Sequence, residues 1–374
     1  MVLHCVPSLH VGGVNKSLLT TVRALHSNQI DQVVCSLIDD RTLAPEIEAM
    51  GVRVETLGHS GSQSGLRTLL RLRALIRRHR VTVVHSHLSI AHAYGGLAAK
   101  LCGIPNVTSY HSVDAGRVSA FDRPKSYVTS RYIAVSEAVR QSMIDYRALP
   151  HDRIAVVHHG IDTSTIDDVD QASLESLRSG LVANEQARVL LNVGRLVPEK
   201  NQQLLVPITQ ELVREGFDVV TLVAGDGMLH DSLQAFIDDA GMSDRIHLLG
   251  RRFDVAQLVC CADVVVIPSS SEGFSIFALE AMAARRPVVA SAIPALKEVV
   301  GDGSGALVTP GDAHEFATTI GDLLDSPERA RRLGEQGRAR VEQKFSTEAH
   351  ARRLGAVYDE AAHPRGNVPS ASTS

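Results

Sequence analysis

The stretch ADVVVIPSSSEGFSIFALEAMAA, residues 262–284, contains the strongest fold signal of this chain. Residues 262–268 form an apolar run rich in Val and Ile, which is typical of a parallel strand buried on both faces. Residues 276–284 are good helix formers, and the serines and Glu272-Gly273 before them predict a turn from strand to helix. Such a turn lies at the carboxyl end of a parallel strand, where open α/β sheets bind ligands.

The turn has the chemistry of an anion site. If Ser275 caps the helix, the amides of residues 274–278 point outward without a partner inside the helix, and the helix dipole favours a negative ligand. Gly273 lets the backbone approach a ligand closely. Glu272 precedes the helix and Glu280 lies about 10 Å along it, so two carboxylates flank the amides. This arrangement suits a sugar nucleotide, but it also suits an ordinary strand–helix turn with two solvated glutamates.

Strand and helix patterns alternate along both halves of the chain. Strand-like runs of the first half cover residues 2–6, 32–38, 52–57, 81–85, 106–110, 132–135 and 154–158. After an acidic linker at 162–187, such runs recur at residues 188–193, 219–224, 246–249, 262–268, 287–290 and 305–308. This alternation predicts an α/β protein with parallel, doubly wound sheets. We expect an N-terminal domain at 1–165, a C-terminal domain at 166–346, a helix at 347–362 and a disordered tail at 363–374.

Composition narrows the class of protein further. Residues 1–165 carry 18 Lys and Arg against 12 Asp and Glu (+6), and residues 166–374 carry 20 against 30 (−10), which together give the net charge of −4. The first half is therefore better suited to an acidic acceptor or surface.

Five cysteines without a CxxC pair indicate a reducing compartment. No apolar run reaches bilayer length and no signal peptide opens the chain, so we expect a cytoplasmic protein.

Four motifs together resemble one known family. They are the segment from Gly194-Arg195 to Lys200-Asn201, the spacing E-x7-E from Glu272 to Glu280, the pair Gly12-Gly13, and His159-Gly160-Ile161-Asp162. Their types and order, over about residues 1–360, are similar to those of glycosyltransferase family 4. The resemblance implies a GT-B fold, in which two Rossmann-like domains face a cleft and a C-terminal helix crosses back to the N-terminal domain. It also implies transfer with retention of anomeric configuration and without a metal.

The resemblance further implies roles for individual residues. Arg195 and Lys200 would stabilise the leaving nucleoside diphosphate, Glu272 would bind the donor sugar, and Glu280 would bind the ribose hydroxyls. His111, which follows a predicted strand, would lie near the donor sugar. The remaining substrate-binding residues that it implies are Gly12, Gly13, Gly273, Phe274, Ser275, Ile276, Gly225 and Arg252.

His85 and His87 raise the question of a metal. They alternate on one predicted strand and so share a face, as metal ligands would. No cysteine or carboxylate cluster accompanies them, so the sequence predicts no metal. We expect no cofactor either, because the nucleotide sugar is a substrate.

The sequence predicts a basic amphipathic helix from Leu66 to Arg80, whose arginines extend from Arg67 to Arg80. We expect Leu66, Leu69, Leu70 and Ile76 to face the core. Its arginines could then contact anionic lipid head groups at the inner face of a membrane. A solvated helix face is the alternative interpretation.

The function expected from these observations is a retaining, metal-independent hexosyltransferase. It would move a hexose or N-acetylhexosamine from a nucleoside-diphosphate sugar, UDP-sugar first and GDP-sugar next, to a hydroxyl of a glycan or lipid-linked acceptor. Cell-surface polysaccharide or glycolipid synthesis would be its setting. A sugar-nucleotide epimerase with a GT-B fold remains an alternative, as does a non-catalytic partner of a transferase that binds sugar nucleotides.

Overall fold

The computed structural model describes residues 1–10, 13–59, 65–113, 126–182, 184 and 186–363, and of residues 13, 14 and 89 the backbone alone. Gly12 and the expected tail beyond residue 363 lie outside the described residues. The chain divides into two compact units: unit 1 contains Met1–Gly160 and the chain from Thr347 onward, and unit 2 contains Ile161–Ser346. The expected boundary lay at residue 165, and the whole of the expected linker, residues 162–187, falls within unit 2.

Unit 1 is built on a parallel sheet of seven strands in the order β3-β2-β1-β4-β5-β6-β7. The strands are β1 (Val2–Val6), β2 (Gln32–Ser36), β3 (Arg53–Thr56), β4 (Val83–His87), β5 (Asn106–Tyr110), β6 (Arg131–Ala134) and β7 (Ile154–Val156). The helices described in this unit are α1 (Gly13–Ser27), α2 (Ala44–Ala49), α3 (Gly65–Arg78), α4 (Ser89–Cys102), α5 (Glu137–Arg147) and α15 (Thr347–Ala362).

Alternating side chains of β1 and β4 place different helices on the two faces of this sheet. On one face, Leu3 and Val84 belong to a core cluster with residues of α3 and α4. On the other, Val2 and Val83 pack in a cluster with Leu354, Val357 and Tyr358 of α15. The last helix of the chain therefore belongs to the core of unit 1, which confirms the prediction that it returns to the N-terminal domain.

Helix α3 buries Ile76 and partly buries Leu69, as expected, but the rest of its expected core face is exposed. Leu66 and Leu70 are 71% and 53% exposed, so the prediction that they face the core is wrong. The buried residues are Thr68, Leu72, Leu75 and Ile76, which follow the period of 3.6 residues along the opposite side.

Two arginines of α3 have partners inside unit 1. Arg71 donates to the carbonyl of Leu57 at 2.8 Å, and Arg78 lies 2.6 Å from the carboxylate of Glu55. These contacts are intramolecular and give the proposed membrane contact no support. Among the described helices, none has both the length and the apolarity that a bilayer span requires.

Unit 2 is built on a parallel sheet of six strands in the order β10-β9-β8-β11-β12-β13. The strands are β8 (Arg188–Val193), β9 (Val219–Ala224), β10 (Ile246–Leu248), β11 (Val264–Ile267), β12 (Val288–Ser291) and β13 (Ala306–Val308). Its helices are α6 (Ser164–Asp167), α7 (Gln171–Leu181), α8 (Leu205–Arg214), α9 (His230–Asp239), α10 (Val255–Cys261), α11 (Ile276–Ala283), α12 (Pro294–Val300), α13 (Ala313–Asp325) and α14 (Pro327–Lys344).

The strand, turn and helix predicted at residues 262–284 are present. Every residue of β11 is buried, since helices cover both faces of a parallel sheet and four aliphatic side chains in succession fit that environment. Predicted strand ends shift by one or two residues: the run expected at 262–268 pairs only from Val264 to Ile267. Both sheets reverse their strand order once, at β1/β4 and at β8/β11, as in doubly wound folds.

Candidate functional site

Three loops start side by side at the carboxyl edge of the unit 2 sheet. Strands β9, β8 and β11 are neighbours, and the chain leaves them at Gly225, Gly194 and Pro268. The motifs at 194–201, 225–227 and 268–280 are therefore brought together, although they are far apart in sequence. The reversal of strand order between β8 and β11 makes this edge the expected ligand position.

Lys200 and Glu272 form an ion pair between two of these loops. Lys200 ends a 3-10 turn, Pro198–Lys200, and its Nζ lies 2.5 Å from Glu272 Oε1. The two side chains are 23% and 7% exposed, and Ser269 Oγ donates to the same carboxylate oxygen at 3.0 Å. The Glu272 side chain is thus largely enclosed, between the Lys200 ammonium group and the Ser269 hydroxyl.

The backbone reinforces this connection. The carbonyl of Glu199 accepts from the amide of Ser270 at 2.9 Å and from its Oγ at 3.3 Å. The loop after β8 and the loop after β11 are therefore tied together next to the ion pair. Fixing both loops would reduce the conformational freedom that Lys200 and Glu272 lose on binding any ligand at this edge.

Arg195 lies on the same edge with its guanidinium largely in solvent. The side chain is 75% exposed, and its only described ion-pair partner is the carboxylate of Glu199 at 3.6 Å. The backbone carbonyl of Arg195 accepts from Gln202 Nε2 at 2.9 Å, which fixes the position of the main chain. The guanidinium can therefore turn towards an incoming phosphate without breaking a buried contact.

Helix α11 begins at this edge with Ser275 as its cap. Ser275 Oγ accepts from the amide of Ala278 at 3.3 Å, which confirms the predicted cap. Phe274 is buried and contacts Phe345 edge-on, with ring centroids 5.8 Å apart. The first turn of the helix is therefore anchored by packing, and its amides face the edge with the positive end of the dipole. Glu280 lies half-buried in the second turn.

The lack of a side chain at Gly225 allows close contact between the loop after β9 and the loop after β8. Its φ is +149°, and a Cβ there would lie 1.8 Å from the carbonyl oxygen of Gly194. At Gly227 a Cβ would lie 2.4 Å from the carbonyl oxygen of Leu196, whose amide donates to Asp226 at 3.0 Å. The loop after β9 therefore supports the loop that carries Arg195.

Arg252 is already engaged in a bidentate ion pair. Its Nε and Nη2 donate to the two carboxylate oxygens of Asp254 at 2.8 and 2.5 Å. This hydrogen bonding lowers the pKa of Asp254 and raises that of Arg252. Arg252 follows β10, two strands away from β8, so it lies farther along the edge than Arg195.

His111 follows β5 at the carboxyl edge of the unit 1 sheet. Its ring stacks on His159 with centroids 5.4 Å apart, and on His87 at 5.8 Å. Both ring nitrogens are buried and lack a hydrogen-bond partner among the described residues. Burial lowers the pKa of His111 to about 4, so the ring is neutral at pH 7.

The sequence analysis missed two buried polar residues, Asn192 and His4. Asn192, on β8, is buried and donates to the carbonyl of Val266 at 2.8 Å, while its Oδ1 has no partner among the described residues. A polar residue within the aliphatic run RVLLNV was the available signal. His4, on β1, lies beside His85, and only the pairing of β1 with β4 shows this.

Comparisons with known proteins match both units to families. Residues 11–165 match the model for Glycosyltransferase Family 4, and residues 175–340 match that for Glycosyl transferases group 1. A D-inositol 3-phosphate glycosyltransferase of Kineococcus radiotolerans is 31% identical over 318 residues, covering 76% of this chain and 72% of that protein. An alpha-D-kanosaminyltransferase of Streptomyces kanamyceticus is 28% identical over 324 residues, covering 80% of this chain and 82% of that protein.

A solved structure has the same fold. Anabaena Alr3699/HepE in complex with UDP-glucose aligns with a TM-score of 0.81 and 21% identity, over 96% of this chain and 99% of that one. The predicted GT-B fold with two Rossmann-like domains is confirmed. The two family models cover most of the chain in the expected order, and the Kineococcus relative matches through both units. The chain belongs to the group 1 glycosyl transferases of glycosyltransferase family 4.

Proposed function

We propose that this glycosyltransferase takes a hexose or N-acetylhexosamine from a nucleoside-diphosphate sugar, UDP-sugar first, and transfers it with retention to an acceptor hydroxyl. The observation that carries the proposal is the position of Arg195, the Lys200–Glu272 pair and the capped start of α11 at one sheet edge. Two cations and a helix N-terminus supply a place for a diphosphate. The complex of Alr3699/HepE with UDP-glucose supports UDP as the first nucleotide to test.

Each residue has a distinct part in the proposed donor site. The diphosphate binds the amides at the start of α11, with Arg195 as a planar fork and Lys200 as a point charge. Glu272 accepts hydrogen bonds from the donor sugar, and Glu280, in the second turn of α11, accepts them from the ribose. That His111 lies near the donor sugar stays a prediction from the family resemblance.

The proposed reaction needs no protein base and no metal at the reacting carbon. The acceptor hydroxyl attacks the anomeric carbon on the face that the diphosphate leaves. A diphosphate oxygen takes the hydroxyl proton, the glycosidic bond forms, and the bond from the sugar to the diphosphate breaks. The protein lowers the barrier by stabilising negative charge on the leaving group with Arg195, Lys200 and the helix amides.

As acceptor we propose a small polyhydroxylated molecule as the first choice. A lipid-linked saccharide is the second choice. The Kineococcus relative is named for D-inositol 3-phosphate and the Streptomyces relative for an alpha-linked kanosaminyl group. A transferase that retains the anomeric configuration forms an alpha-linked product from a donor with the alpha configuration. The intramolecular contacts of α3 give no support to a lipid surface.

The test is a panel of UDP- and GDP-sugars, measured by thermal shift and by slow donor hydrolysis. One nucleotide family should raise the melting temperature, and Glu272→Ala should abolish sugar release. Glu328→Ala, on the exposed first turn of α14, is the matched control and should behave like the wild type. With an inositol phosphate acceptor, NMR of the product should show the donor's anomeric configuration, and omitting magnesium and manganese should not change turnover. A chain that binds no nucleotide sugar would overturn the donor assignment.

A further inference from the structure

Three histidines of unit 1 form a buried group on one face of its sheet. Strands β1 and β4 are paired in parallel, with His4 opposite His85 in the register. His87 lies two residues beyond His85, so its side chain points to the same face. The three residues are 0%, 2% and 3% exposed, which places them among the most enclosed polar groups of the unit.

The ring nitrogens of this histidine triad converge. One nitrogen from each ring can be chosen so that all three lie within 4.8 Å of one another. His4 Nδ1 and His87 Nε2 are 3.4 Å apart, and the rings of His85 and His87 have centroids 4.0 Å apart. His4 and His87 can each present a nitrogen lone pair to a shared point, whereas His85 would do so by giving up one of its two hydrogen bonds to hydroxyl groups.

The contacts around the triad decide which nitrogen of His4 faces inward. Gln32 Nε2 donates to the carbonyl of Val22 at 2.7 Å, so Gln32 Oε1 is the atom that lies 3.2 Å from His4 Nε2. A carbonyl oxygen only accepts, so His4 Nε2 carries the hydrogen and His4 Nδ1 presents a lone pair towards His87. An outer hydrogen bond of this kind orients metal-bound histidines in proteins.

His85 has similar outer contacts. Its Nδ1 lies 2.7 Å from the hydroxyl of Tyr358, and its Nε2 lies 2.7 Å from Ser109 Oγ. Either hydroxyl can hold one ring nitrogen while the other nitrogen turns to a ligand. Because Tyr358 belongs to α15, the triad also connects the sheet to the last helix of the chain.

Hydrogen bonding alone leaves the triad incompletely satisfied. The distance of 3.4 Å between His4 Nδ1 and His87 Nε2 is longer than an ordinary hydrogen bond. His87 Nδ1 is buried and has no partner among the described residues. The same 3.4 Å is close to the edge of a tetrahedron whose metal–nitrogen bonds are about 2.05 Å, which is about 3.4 Å.

We propose that His4, His85 and His87 bind one divalent transition metal ion of the zinc class, with a water molecule as the fourth ligand. Closing all three nitrogens to tetrahedral spacing needs side-chain shifts of about one ångström. The ion would tie β1 and β4 together, and its role is structural and independent of the proposed function.

The test uses the full chain without a histidine tag, produced in medium supplemented with zinc and dialysed without chelator. Metal is counted by mass spectrometry, and unfolding of unit 1 is followed by tyrosine fluorescence. The chain has no tryptophan and its six tyrosines all lie in unit 1, so this signal reports that unit alone. The variants are His4→Gln and His87→Gln, and the matched control is His350→Gln, another buried histidine of unit 1.

Wild type and His350→Gln should each hold about one zinc ion per chain, and the two triad variants about a tenth of that or less. Dipicolinate should lower the melting temperature of the wild type but not of His87→Gln. A chain made in cobalt-supplemented medium should show visible absorption bands that His87→Gln lacks. If a variant does not fold, the test rests on the wild type alone. A wild-type metal content near zero, with no change in melting temperature on adding dipicolinate, would mean that the triad is a neutral, hydrogen-bonded group. Equal zinc in wild type and in folded triad variants would also overturn the proposal.

Discussion

Lys200 Nζ lies 2.5 Å from Glu272 Oε1, across the boundary between the loops that follow β8 and β11. The two residues are 72 positions apart, and the pairing of β8 with β11 brings them together. In this state each charge is balanced by the other. A donor with its diphosphate near Lys200 and its sugar near Glu272 would break this ion pair. Lys200 would then contact the diphosphate, and Glu272 would contact the sugar.

Lys200→Ala should lower kcat/KM for transfer by about 100-fold or more, because one cation facing the leaving group is lost. It should also destabilise unit 2 by about 2 kcal/mol, because Glu272 is left enclosed without its partner. Urea unfolding followed by circular dichroism measures the second effect. The double variant Lys200→Ala with Glu272→Gln should lose less stability than the sum of the single changes, and strict additivity would contradict the coupling.

Arg195→Ala should lower turnover by about two orders of magnitude while leaving the urea midpoint of unit 2 nearly unchanged. The reason is that the side chain is 75% exposed and contributes little to stability through Glu199. Arg214→Ala, at the exposed end of α8, is the matched control and should keep full activity. An Arg195→Ala enzyme with wild-type turnover would remove Arg195 from the proposed mechanism.

Gly225→Ala should destabilise unit 2 by at least about 2 kcal/mol more than Gly241→Ala. Both glycines have positive φ, but a Cβ at 225 would meet the Gly194 carbonyl at 1.8 Å, whereas nothing lies within 4 Å at 241. The expected difference combines the clash with the backbone cost of φ, because φ is +149° at Gly225 but +66° at Gly241, a value in the left-handed helical region that other residues adopt more readily. Urea midpoints measured on both variants decide it, and similar losses would show that the loops can move apart.

Below pH 6.5 unit 1 should lose stability, in part because of His350. Burial lowers the pKa of His350 from 6.5 to about 4, so between these values the unfolded chain binds the proton and the folded chain does not. Stability therefore falls as pH decreases through this window, by about 2 kcal/mol between pH 7 and 5 for one such group. In His350→Gln, the difference between urea midpoints at pH 7 and 5, read by tyrosine fluorescence, should shrink.

His314 provides the opposite case on the surface of unit 2. Hydrogen bonding to Glu211 raises the pKa of His314, so its contribution is present below the unfolded value and is lost as pH rises through the folded one. His314→Gln should therefore not reduce the loss of stability of unit 1 on acidification. A reduced loss in this variant would mean that the His350 result is not specific.

Leu354→Ala should lower the free energy of unfolding of unit 1 by about 3 kcal/mol, because it opens a cavity between α15 and the sheet. Leu354 is 1% exposed and packs in a cluster with Val83 and Val107. Tyrosine fluorescence should show the shift. The exposed neighbour Arg352→Ala is the control and should leave the transition in place.

Much of the candidate site could be read from local sequence. Ser275, immediately before a run of helix formers, predicted the cap of α11, because capping depends on residues within one turn. The buried face of α3 was partly mistaken because Leu66 and Leu70 form an apolar pair at helical spacing, and spacing alone does not say which stripe meets the sheet. The ion pair of Arg252 with Asp254 shows that a cation near a predicted site can already have a partner.

The sequence by itself determined the alternation of strands and helices, the strand–turn–helix at residues 262–284 and the family motifs, since these depend on neighbours along the chain. Only the tertiary structure decided which distant residues meet. The order of strands in a parallel sheet is set by crossovers, and it places Lys200 beside Glu272 and His4 beside His85. The same pairing adds His4 to two strand histidines that, without a cysteine or carboxylate cluster nearby, did not predict a metal.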